Sequence, residues 1–260
     1  MISLILPTQG NPIALKRTID SVEGICDEVI VGDVCVFEDD KKAIDLLGVK
    51  RIELPFNYIF KNGFADTLNT IASHAKNDLV LYLNVGEVIS EGKDEILSKL
   101  DSQYNAYYID HASEQHRWFR FYNKYEMVWS GIIHEELQGD YKPYHKPIFR
   151  FADTDKDTVN SFKAKVMNMV KECVYWQQLI QIADNPDNYP ETNDGWKQFA
   201  SDTYQSMKDR LVLKGEGYQA FLEGDKDKFL NYIHTDKEFE AERFKSTSAI
   251  EFQGDKIHLI

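Results

Sequence analysis

The fold is decided by one stretch of this sequence, Leu79-Val80-Leu81-Tyr82-Leu83-Asn84-Val85-Gly86-Glu87. An apolar run of strand length ends abruptly at small and polar residues. Such a run is typical of a buried parallel strand whose carboxyl end opens into a crevice. Because open α/β sheets bind their ligands at those carboxyl ends, we expect the residues from Asn84 to Glu87 to lie at a functional site.

Strands alternate with helices through the first third of the chain. Apolar runs bounded by turn residues predict the strands, and apolar residues at helical spacing predict the helices. Asn11-Pro12 predicts the first helix start, with Asn11 as N-cap. This alternation predicts an α/β fold with a mostly parallel, Rossmann-like sheet flanked by helices. The predicted strands are Ile2–Leu6, Glu28–Val31, Lys50–Leu54 and Leu79–Leu83, and the predicted helices are Ile13–Val22, a segment around Ala43–Leu47 that stops at Gly48, and Gly63–Ala75.

The second half of the chain has a different pattern. Asn105–Ile109 and Arg117–Tyr122 are predicted to be later strands near the site. From about Asp157 onward, apolar residues recur at helical spacing, in stretches near 159–176, 196–213, 218–222 and 228–233. We therefore predict an α/β domain over residues 1–153. A C-terminal α-helical region over residues 154–260 is expected to pack on that domain or to extend it.

Composition limits the class of protein and its partners. The chain has 260 residues, of which 43% are hydrophobic, enough for a substantial core. The net charge of −13 disfavours nucleic acid as a partner but leaves room for a local basic groove. Cys26, Cys35 and Cys173 match no common zinc or disulfide spacing and indicate thiols in a reducing compartment. With no signal-like start and no stretch of ~20 apolar residues, we expect a soluble, cytoplasmic protein without a transmembrane segment.

Four blocks of the sequence stand in an order that is found in a known family. The blocks are Ile2–Gly10, with Pro7-Thr8 after the first strand; Asp27–Asp33; Phe64–Asn69 followed by His74–Leu83; and Arg117–Arg120 followed by Gly131–Leu137. Together they resemble glycosyltransferase family 2, whose members have the GT-A fold. The chain is most similar to the group that includes lipopolysaccharide-core and peptide-modifying glycosyltransferases. The resemblance covers about Met1 to Phe151, and four blocks in this order make it fairly specific.

The resemblance implies a GT-A domain over residues 1–153 and a nucleotide-diphosphate sugar, first of all a UDP-sugar, as donor. It implies a hexosyl- or pentosyltransferase that transfers the sugar to an acceptor hydroxyl with inversion. Asp33 would accept a hydrogen bond from the base or the ribose, because a carboxylate is an acceptor only. The donor-binding residues carried over from the motifs of the family are Pro7, Thr8, Asp33, Asn69, Asn84, Gly86, Arg117 and Arg120.

Asn84-Val85-Gly86-Glu87 stands where the family has Asp-Ala-Asp-Glu. In the family this motif holds a Mn²⁺ or Mg²⁺ ion that bridges the donor diphosphate. Asn84 offers a neutral oxygen, Gly86 offers no side chain, and only Glu87 is anionic. Three alternatives are open. Glu87 holds a metal with help from His134; arginines of the Arg117–Arg120 block or lysines replace the metal; or the site binds its ligand without catalysis.

His134-Glu135 is the predicted catalytic pair. An inverting transfer needs a base that takes the proton of the acceptor hydroxyl as it attacks the anomeric carbon. The resemblance implies Glu135 as that base or as an acceptor contact. It implies His134 as a ligand of a metal or of phosphate. A solvated polar turn, which continues into Glu136, is the alternative.

The sequence leaves the acceptor open. A saccharide or lipid-linked saccharide, a peptide, and a hydroxylated DNA base of the kind that phage enzymes modify are the candidates, in that order. The competing function is a non-catalytic nucleotide-sugar-binding or assembly protein, because both aspartate positions of the motif are changed. The C-terminal helices are expected to cap the acceptor side or to mediate self-association as a homo-oligomer.

Overall fold

A computed structural model describes residues 1–111, 117–131, 136–153, 181–185, 187, 197–198, 215–235, 250–253 and 256–259. The described residues fall into two compact units. The first lies within Met1–Glu53, Thr67–Ser130 and Glu136–Val159, and the second within Leu54–Asp66, Gly131–Glu135 and Asn160–Ile260. The predicted division after residue 153 stays a prediction, and Leu54–Asp66 groups with the C-terminal residues instead of the N-terminal ones.

The secondary structure alternates strands and helices and then becomes strand-rich. The strands are β1 (Ile2–Thr8), β2 (Glu28–Asp33), β3 (Lys50–Glu53), β4 (Leu79–Tyr82), β5 (Glu87–Glu91), β6 (Ala106–His111), β7 (Arg117–Asn123), β8 (Met127–Ser130), β9 (Glu136–Gly139), β10 (Pro143–Tyr144), β11 (Arg150–Asp153), β12 (Ile250–Gln253) and β13 (Lys256–Leu259). The helices are α1 (Pro12–Ser21), α2 (Glu38–Asp45), α3 (Tyr58–Ser73), α4 (Ile96–Lys99), α5 (Gly215–Glu223) and α6 (Lys226–Thr235).

The first unit is built on a nine-stranded mixed sheet of order β3-β2-β1-β4-β7-β6-β11-β5, in which β10 pairs with β6. β3, β2, β1 and β4 run parallel, whereas β7 is antiparallel to both β4 and β6. The predicted α/β class with a mostly parallel sheet is therefore confirmed. The predicted cap is also confirmed, since the side chain of Asn11 accepts a hydrogen bond from the backbone N–H of Ala14 at 3.1 Å.

β1 continues two residues beyond its predicted end at Leu6, and Pro7 and Thr8 stay paired with β2. The backbone oxygen of Ile5 accepts from Leu83 after β4, and that of Thr8 accepts from the residue after β2. The backbone N–H and C=O groups of alternate residues in β1 therefore point toward β4 and toward β2. Pro7 faces the β4 side, where pairing has already ended at Ile5, so its missing N–H breaks no ladder bond.

The sequence predicted only part of the remaining strands. β6 and β7 lie near their predicted positions, but β5, β8, β9 and β11 were missed. Strands of four or five residues contain too few alternations for a period-2 pattern, and their pairing is decided by tertiary contacts.

In the C-terminal half, α5 and α6 match the predicted stretches near 218–222 and 228–233, and the β12–β13 hairpin was not predicted. The predicted stretch 159–176 and nearly all of 196–213 lie outside the described residues.

Three phenylalanines form the aromatic core of the second unit. The ring centroid of Phe56 lies 5.4 Å from that of Phe221 and 5.7 Å from that of Phe229. α3 begins in this unit, earlier than the predicted start at Gly63. It bends at Gly63, where φ is 83° and ψ is 168°, values that only glycine adopts without steric cost.

The cysteines behave as the sequence predicts where they are described. Cys26 and Cys35 have free thiols. Burial, with a smaller contribution from the charge of Asp27, raises the pKa of the Cys26 thiol to about 12. Such a thiol is unreactive near neutral pH. Cys173 lies outside the described residues. Within the described part of the chain, no helix has the length and apolar character needed to cross a membrane.

The link between α1 and the turn after β4 can be tested at Thr18. Its buried hydroxyl accepts a hydrogen bond from the backbone N–H of Gly86 at 2.9 Å. Thr18→Val removes this acceptor, so we expect the free energy of unfolding in urea to fall by ~1–2 kcal/mol. Thr18→Ser keeps the hydroxyl and should retain most of the stability. Equal losses in the two variants would show that the hydrogen bond is not the cause.

Candidate functional site

The order of the parallel strands reverses between β1 and β4. β1, β2 and β3 follow one another toward one edge of the sheet, whereas β4 lies on the other side of β1. In open α/β sheets, ligands bind outside the carboxyl ends of the strands at such a switch point. Thr8 and Gln9 lie at the carboxyl end of β1, and Asn84 to Glu87 follow β4. The polar end of the 79–87 stretch therefore flanks the position where this class of fold binds ligands.

Asp33 ends β2 beside this switch point and pairs in register with Thr8. Its side chain is fully buried. Oδ1 accepts a hydrogen bond from the backbone N–H of Cys35 at 2.7 Å, and Oδ2 accepts from Nη1 of Arg51 at 2.9 Å. The carboxylate that was predicted to bind the donor is thus held by the protein on both oxygens. In this conformation it acts on its surroundings through Arg51.

Arg51, in β3, is a residue that the sequence did not point to. Its Nε donates to Oδ1 of Asp45 at 2.6 Å, and its Nη1 lies 3.7 Å from Glu53. Hydrogen bonds to Asp45 first, and then to Asp33, raise the pKa of the guanidinium above its ordinary value. The side chain keeps 21% of its surface exposed. The sequence did contain one indication of this charged cluster. Arg51 and Glu53 alternate along β3 and therefore lie on one face of the strand beside β2.

Thr8 shapes the turn that leaves β1. Its hydroxyl donates to the carbonyl oxygen of Gly10 at 2.8 Å. Gly10 has φ of 122°, and a Cβ at this position would lie 2.8 Å from Oδ2 of Asp40. Glycine alone fits there. The predicted contact residue Thr8 is buried, so it orders the backbone behind the half-buried Pro7 instead of presenting its hydroxyl to solvent.

Gln9 is the second residue that the sequence did not point to. Both atoms of its amide, Oε1 and Nε2, are buried and have no hydrogen-bond partner in the described structure. Native proteins contain few such groups, and each costs ~1–3 kcal/mol. If the side chain turned outward, a ligand that carries a donor and an acceptor side by side would pair with both atoms. A single glutamine after Pro7-Thr8 carries no sequence signal, so only the structure identifies it.

Glu87 accepts four hydrogen bonds. Oε1 accepts from Nη1 of Arg120 at 2.8 Å and from Nδ2 of Asn84 at 2.9 Å. Oε2 accepts from Nη1 of Arg120 at 2.6 Å and from the backbone N–H of Asn84 at 2.6 Å. The side chains of Arg120 and Glu87 are only 5% and 8% exposed. Removing one partner of a buried pair of this kind costs ~3–5 kcal/mol.

The guanidinium of Arg120 lies between two aromatic rings. Its Cζ is 5.1 Å from the ring centroid of Tyr82 and 5.1 Å from that of Phe151. Desolvated cation–π contacts contribute ~2 kcal/mol each. The hydroxyl of Tyr82 also donates to Oδ1 of Asn84. The network therefore joins β4, β7 and β11 to the turn that carries Asn84.

The described residues do not fit the metal site that the sequence resemblance implies. Mg²⁺ and Mn²⁺ take several oxygen ligands, and carboxylates are the protein ligands that suit them. Both oxygens of Glu87 are already bonded to Arg120 and Asn84. The ranges that the structure describes contain no group of three His, Cys, Asp or Glu side chains that could hold a metal ion. His134, the second predicted ligand, lies outside those ranges.

Asn69 has a structural role in the described contacts. Its Nδ2 donates to the backbone oxygen of Trp129 at 2.8 Å, and the backbone N–H of Trp129 donates to its Oδ1 at 2.9 Å. The amide thereby joins α3 to β8, and its predicted contact with the donor stays a prediction. His134, Glu135 and the side chain of Arg117 lie outside the described residues, so their predicted roles also stay predictions.

The site consists of a buried frame and a partly exposed lining. The predicted residues Thr8, Asp33, Gly86, Glu87 and Arg120 are buried and form the frame. Four residues keep part of their surface exposed and form the lining, namely Pro7, Gln9, Arg51 and Asn84. Pro7, Arg51 and Asn84 can contact a ligand without rearrangement, whereas the buried amide atoms of Gln9 become accessible only if its side chain turns outward. Frame residues act by holding the lining in place.

Comparison with known proteins gives one curated relative. No family model matches the chain. Over 114 residues, 42% of this chain, the sequence is 32% identical to an uncharacterized glycosyltransferase of Rickettsia bellii, of which the match spans 37%.

Among solved structures, TarS of S. aureus has a TM-score of 0.45 at 11% identity, covering 100% of this chain and 96% of that one. Glucosyl-3-phosphoglycerate synthase of Mycobacterium tuberculosis has a TM-score of 0.34 at 17% identity, covering 44% of each chain. These structural similarities are too low to establish a common fold.

The contribution of Arg51 to the frame can be measured directly. Arg51→Met leaves the buried carboxylate of Asp33 without its cation, so we expect the free energy of unfolding to fall by ~1–3 kcal/mol. Arg150→Met is the matched control, because Arg150 pairs with Glu91 at 3.2 Å between side chains that are 50% and 63% exposed. The control should change stability by less than ~1 kcal/mol. Similar losses in urea titrations of both variants would contradict this role of Arg51.

Proposed function

We propose that the chain is a glycosyltransferase with the GT-A fold that binds a nucleotide-diphosphate sugar, first of all a UDP-sugar. The observation that carries the proposal is the placement of Gln9 and Asn84 on the two sides of the β1–β4 switch point, with Arg51 on the same edge of the sheet. The name of the Rickettsia bellii relative, which matches part of the chain, supports the same reaction class.

The nucleoside end of the donor is proposed to lie on the β1–β2 side. Uracil carries an N–H and a carbonyl oxygen side by side, and these complement the unpaired amide atoms of Gln9. Because these atoms are buried, pairing with the base requires the side chain of Gln9 to turn outward. Arg51 is a charged lining residue on this side of the sheet, and its guanidinium bonds Asp33, the register partner of Thr8. A ribose hydroxyl or a phosphate oxygen is a suitable acceptor for the guanidinium. In this proposal Asp33 supports nucleotide binding through Arg51.

The transfer itself is proposed to use Glu135. The acceptor oxygen attacks the anomeric carbon, its proton passes to the carboxylate of Glu135, and the bond to the UDP oxygen breaks as the new glycosidic bond forms with inversion. His134 would contact the leaving phosphate. The acceptor class is a saccharide first, a peptide second and a hydroxylated DNA base third.

The proposal is tested by incubating the full chain with cell extract and isotope-labelled UDP-sugars, followed by mass spectrometry. The expected result is the label in one acceptor class, which identifies donor and acceptor together. UDP binding without transfer to any acceptor would favour the competing function, a nucleotide-sugar-binding protein. The changed aspartate positions of Asn84 and Gly86 favour that alternative. A chain that binds no uridine nucleotide would contradict both functions.

Gln9→Met is expected to change stability and binding in opposite directions. Replacing an unpaired buried amide by an apolar side chain of similar size removes a desolvation penalty, so the Tm should rise. The same change removes the proposed partner of the base, so the Kd for UDP should increase at least ~10-fold, the equivalent of ~1.4 kcal/mol. Calorimetric titration and thermal unfolding measure the two effects.

Gln219→Met is the control for this experiment, because Gln219 is exposed and donates to Glu223 in the C-terminal helix α5. It should leave UDP binding unchanged. If Gln9→Met binds UDP as tightly as the original chain, Gln9 does not contact the base.

Glu135→Gln separates catalysis from binding. The amide keeps the size of the side chain but cannot take a proton, so kcat should fall at least ~100-fold, the lower range for a general base. The Kd for UDP should stay within about twofold of the original value. A variant that loses affinity for UDP while kcat is retained would assign Glu135 to binding instead of proton transfer.

A further inference from the structure

We propose that the side-chain amide of Asn84, in the turn between β4 and β5, donates to the donor diphosphate at a site without a divalent cation, with Glu87 and Arg120 as the positioning pair of that turn. The inference rests on the proposed function. It concerns Asn84 to Glu87, where a metal site is expected from the sequence and the described residues do not form one.

The charge of the turn is the first argument. Glu87 is the only acidic residue between Asn84 and Glu87, and its carboxylate shares two hydrogen bonds with Arg120. The two formal charges cancel, so this part of the site presents no net negative charge to a dication. Both partners are buried, and separating them would expose an uncompensated charge to a low-dielectric environment. A metal at Glu87 would have to displace Arg120 from its position between Tyr82 and Phe151.

The amide of Asn84 is the second argument. Its Oδ1 accepts a hydrogen bond from the hydroxyl of Tyr82. This contact sets the orientation of the amide, with Oδ1 toward Tyr82 and Nδ2 toward Glu87. One hydrogen of Nδ2 goes to Glu87 at 2.9 Å. The amide nitrogen carries a second hydrogen, which has no partner among the described residues. Because Asn84 is partly exposed, this N–H is available to a phosphate oxygen at the carboxyl end of β4.

The pair fixes this donor in place. Glu87 receives both the backbone N–H and the side-chain N–H of Asn84, so one carboxylate sets the position of the backbone and of the amide together. Arg120 in turn fixes the carboxylate. Glu87 and Arg120 therefore position Asn84 and do not contact the donor.

The original chain gives the primary test, with UDP as the probe. Calorimetric titration is run once with EDTA and once with excess MnCl₂. We expect the Kd for UDP to agree within about twofold, because the described residues contain no ligand set for the ion. Binding that requires Mn²⁺, or that is at least tenfold tighter with it, would overturn the inference and leave the proposed function standing. An absence of UDP binding under both conditions would overturn the proposed function as well.

Asn84→Asp tests the same idea by gain of metal dependence. The variant places a second carboxylate against Oε1 of Glu87, where the amide now donates, and a divalent cation is the group that relieves this repulsion. We expect UDP affinity in EDTA to fall at least tenfold and to recover with Mn²⁺. Asn84→Ala is the matched control, which should lose affinity without recovery. If Mn²⁺ restores neither variant or both, the role of Asn84 is wrong.

Glu87→Gln distinguishes a positioning pair from a metal ligand through stability in EDTA. A metal ligand is not needed by the metal-free protein, so its removal would leave the Tm unchanged or raise it. A partner of Arg120 is needed, so we expect the Tm to fall in EDTA and UDP affinity to fall with it. The double variant Glu87→Met, Arg120→Met, which removes both charges, should recover part of the Tm but not the affinity. An unchanged Tm for Glu87→Gln contradicts the pairing.

Discussion

The buried ion pair between Glu87 and Arg120 is the interaction on which the rest of the site depends. Glu87 begins β5 and Arg120 lies in β7, two strands that are separated in the sheet by β6 and β11. The guanidinium sits between Tyr82 of β4 and Phe151 of β11. The guanidinium of Arg120 in β7 therefore contacts residues of three other strands, β4, β5 and β11. Because leaving a buried charge without its partner is costly, this pair stabilises the turn after β4 through the two hydrogen bonds from Asn84 to Glu87.

Burial divides the roles of the charged groups more sharply than residue type does. Asp33 and Glu87 are carboxylates at strand ends, where a ligand contact is expected, yet each is buried and bonded to an arginine. The groups left partly exposed are the amide of Asn84, the guanidinium of Arg51 and the carboxylates of Asp45 and Glu53 around that guanidinium. A site of this kind is pre-organised, because the protein has fixed its donors before a ligand arrives.

The sequence predicted the parts of the fold that depend on local pattern. The parallel strands β1 to β4, the cap at Asn11 and the helices between them follow from apolar periodicity and turn residues. The partner of Glu87 could not be predicted in this way, because Arg120 is 33 residues away and reaches it through antiparallel pairing of short strands. The unpaired amide of Gln9 could not be predicted either, because the lack of hydrogen-bond partners for a buried amide is visible only in the packed structure.

Asn84 and Glu87 form a matched pair of hydrogen-bonding groups. The amide of Asn84 donates to Oε1 of Glu87 at 2.9 Å and takes a hydrogen bond from Tyr82 on its other end. An aspartate at position 84 would reverse the first contact into a repulsion between two carboxylate oxygens, which a bound cation would offset. With asparagine the same contact is favourable without any ion. With asparagine at position 84, the carboxylate of Glu87 therefore bonds both Arg120 and the turn.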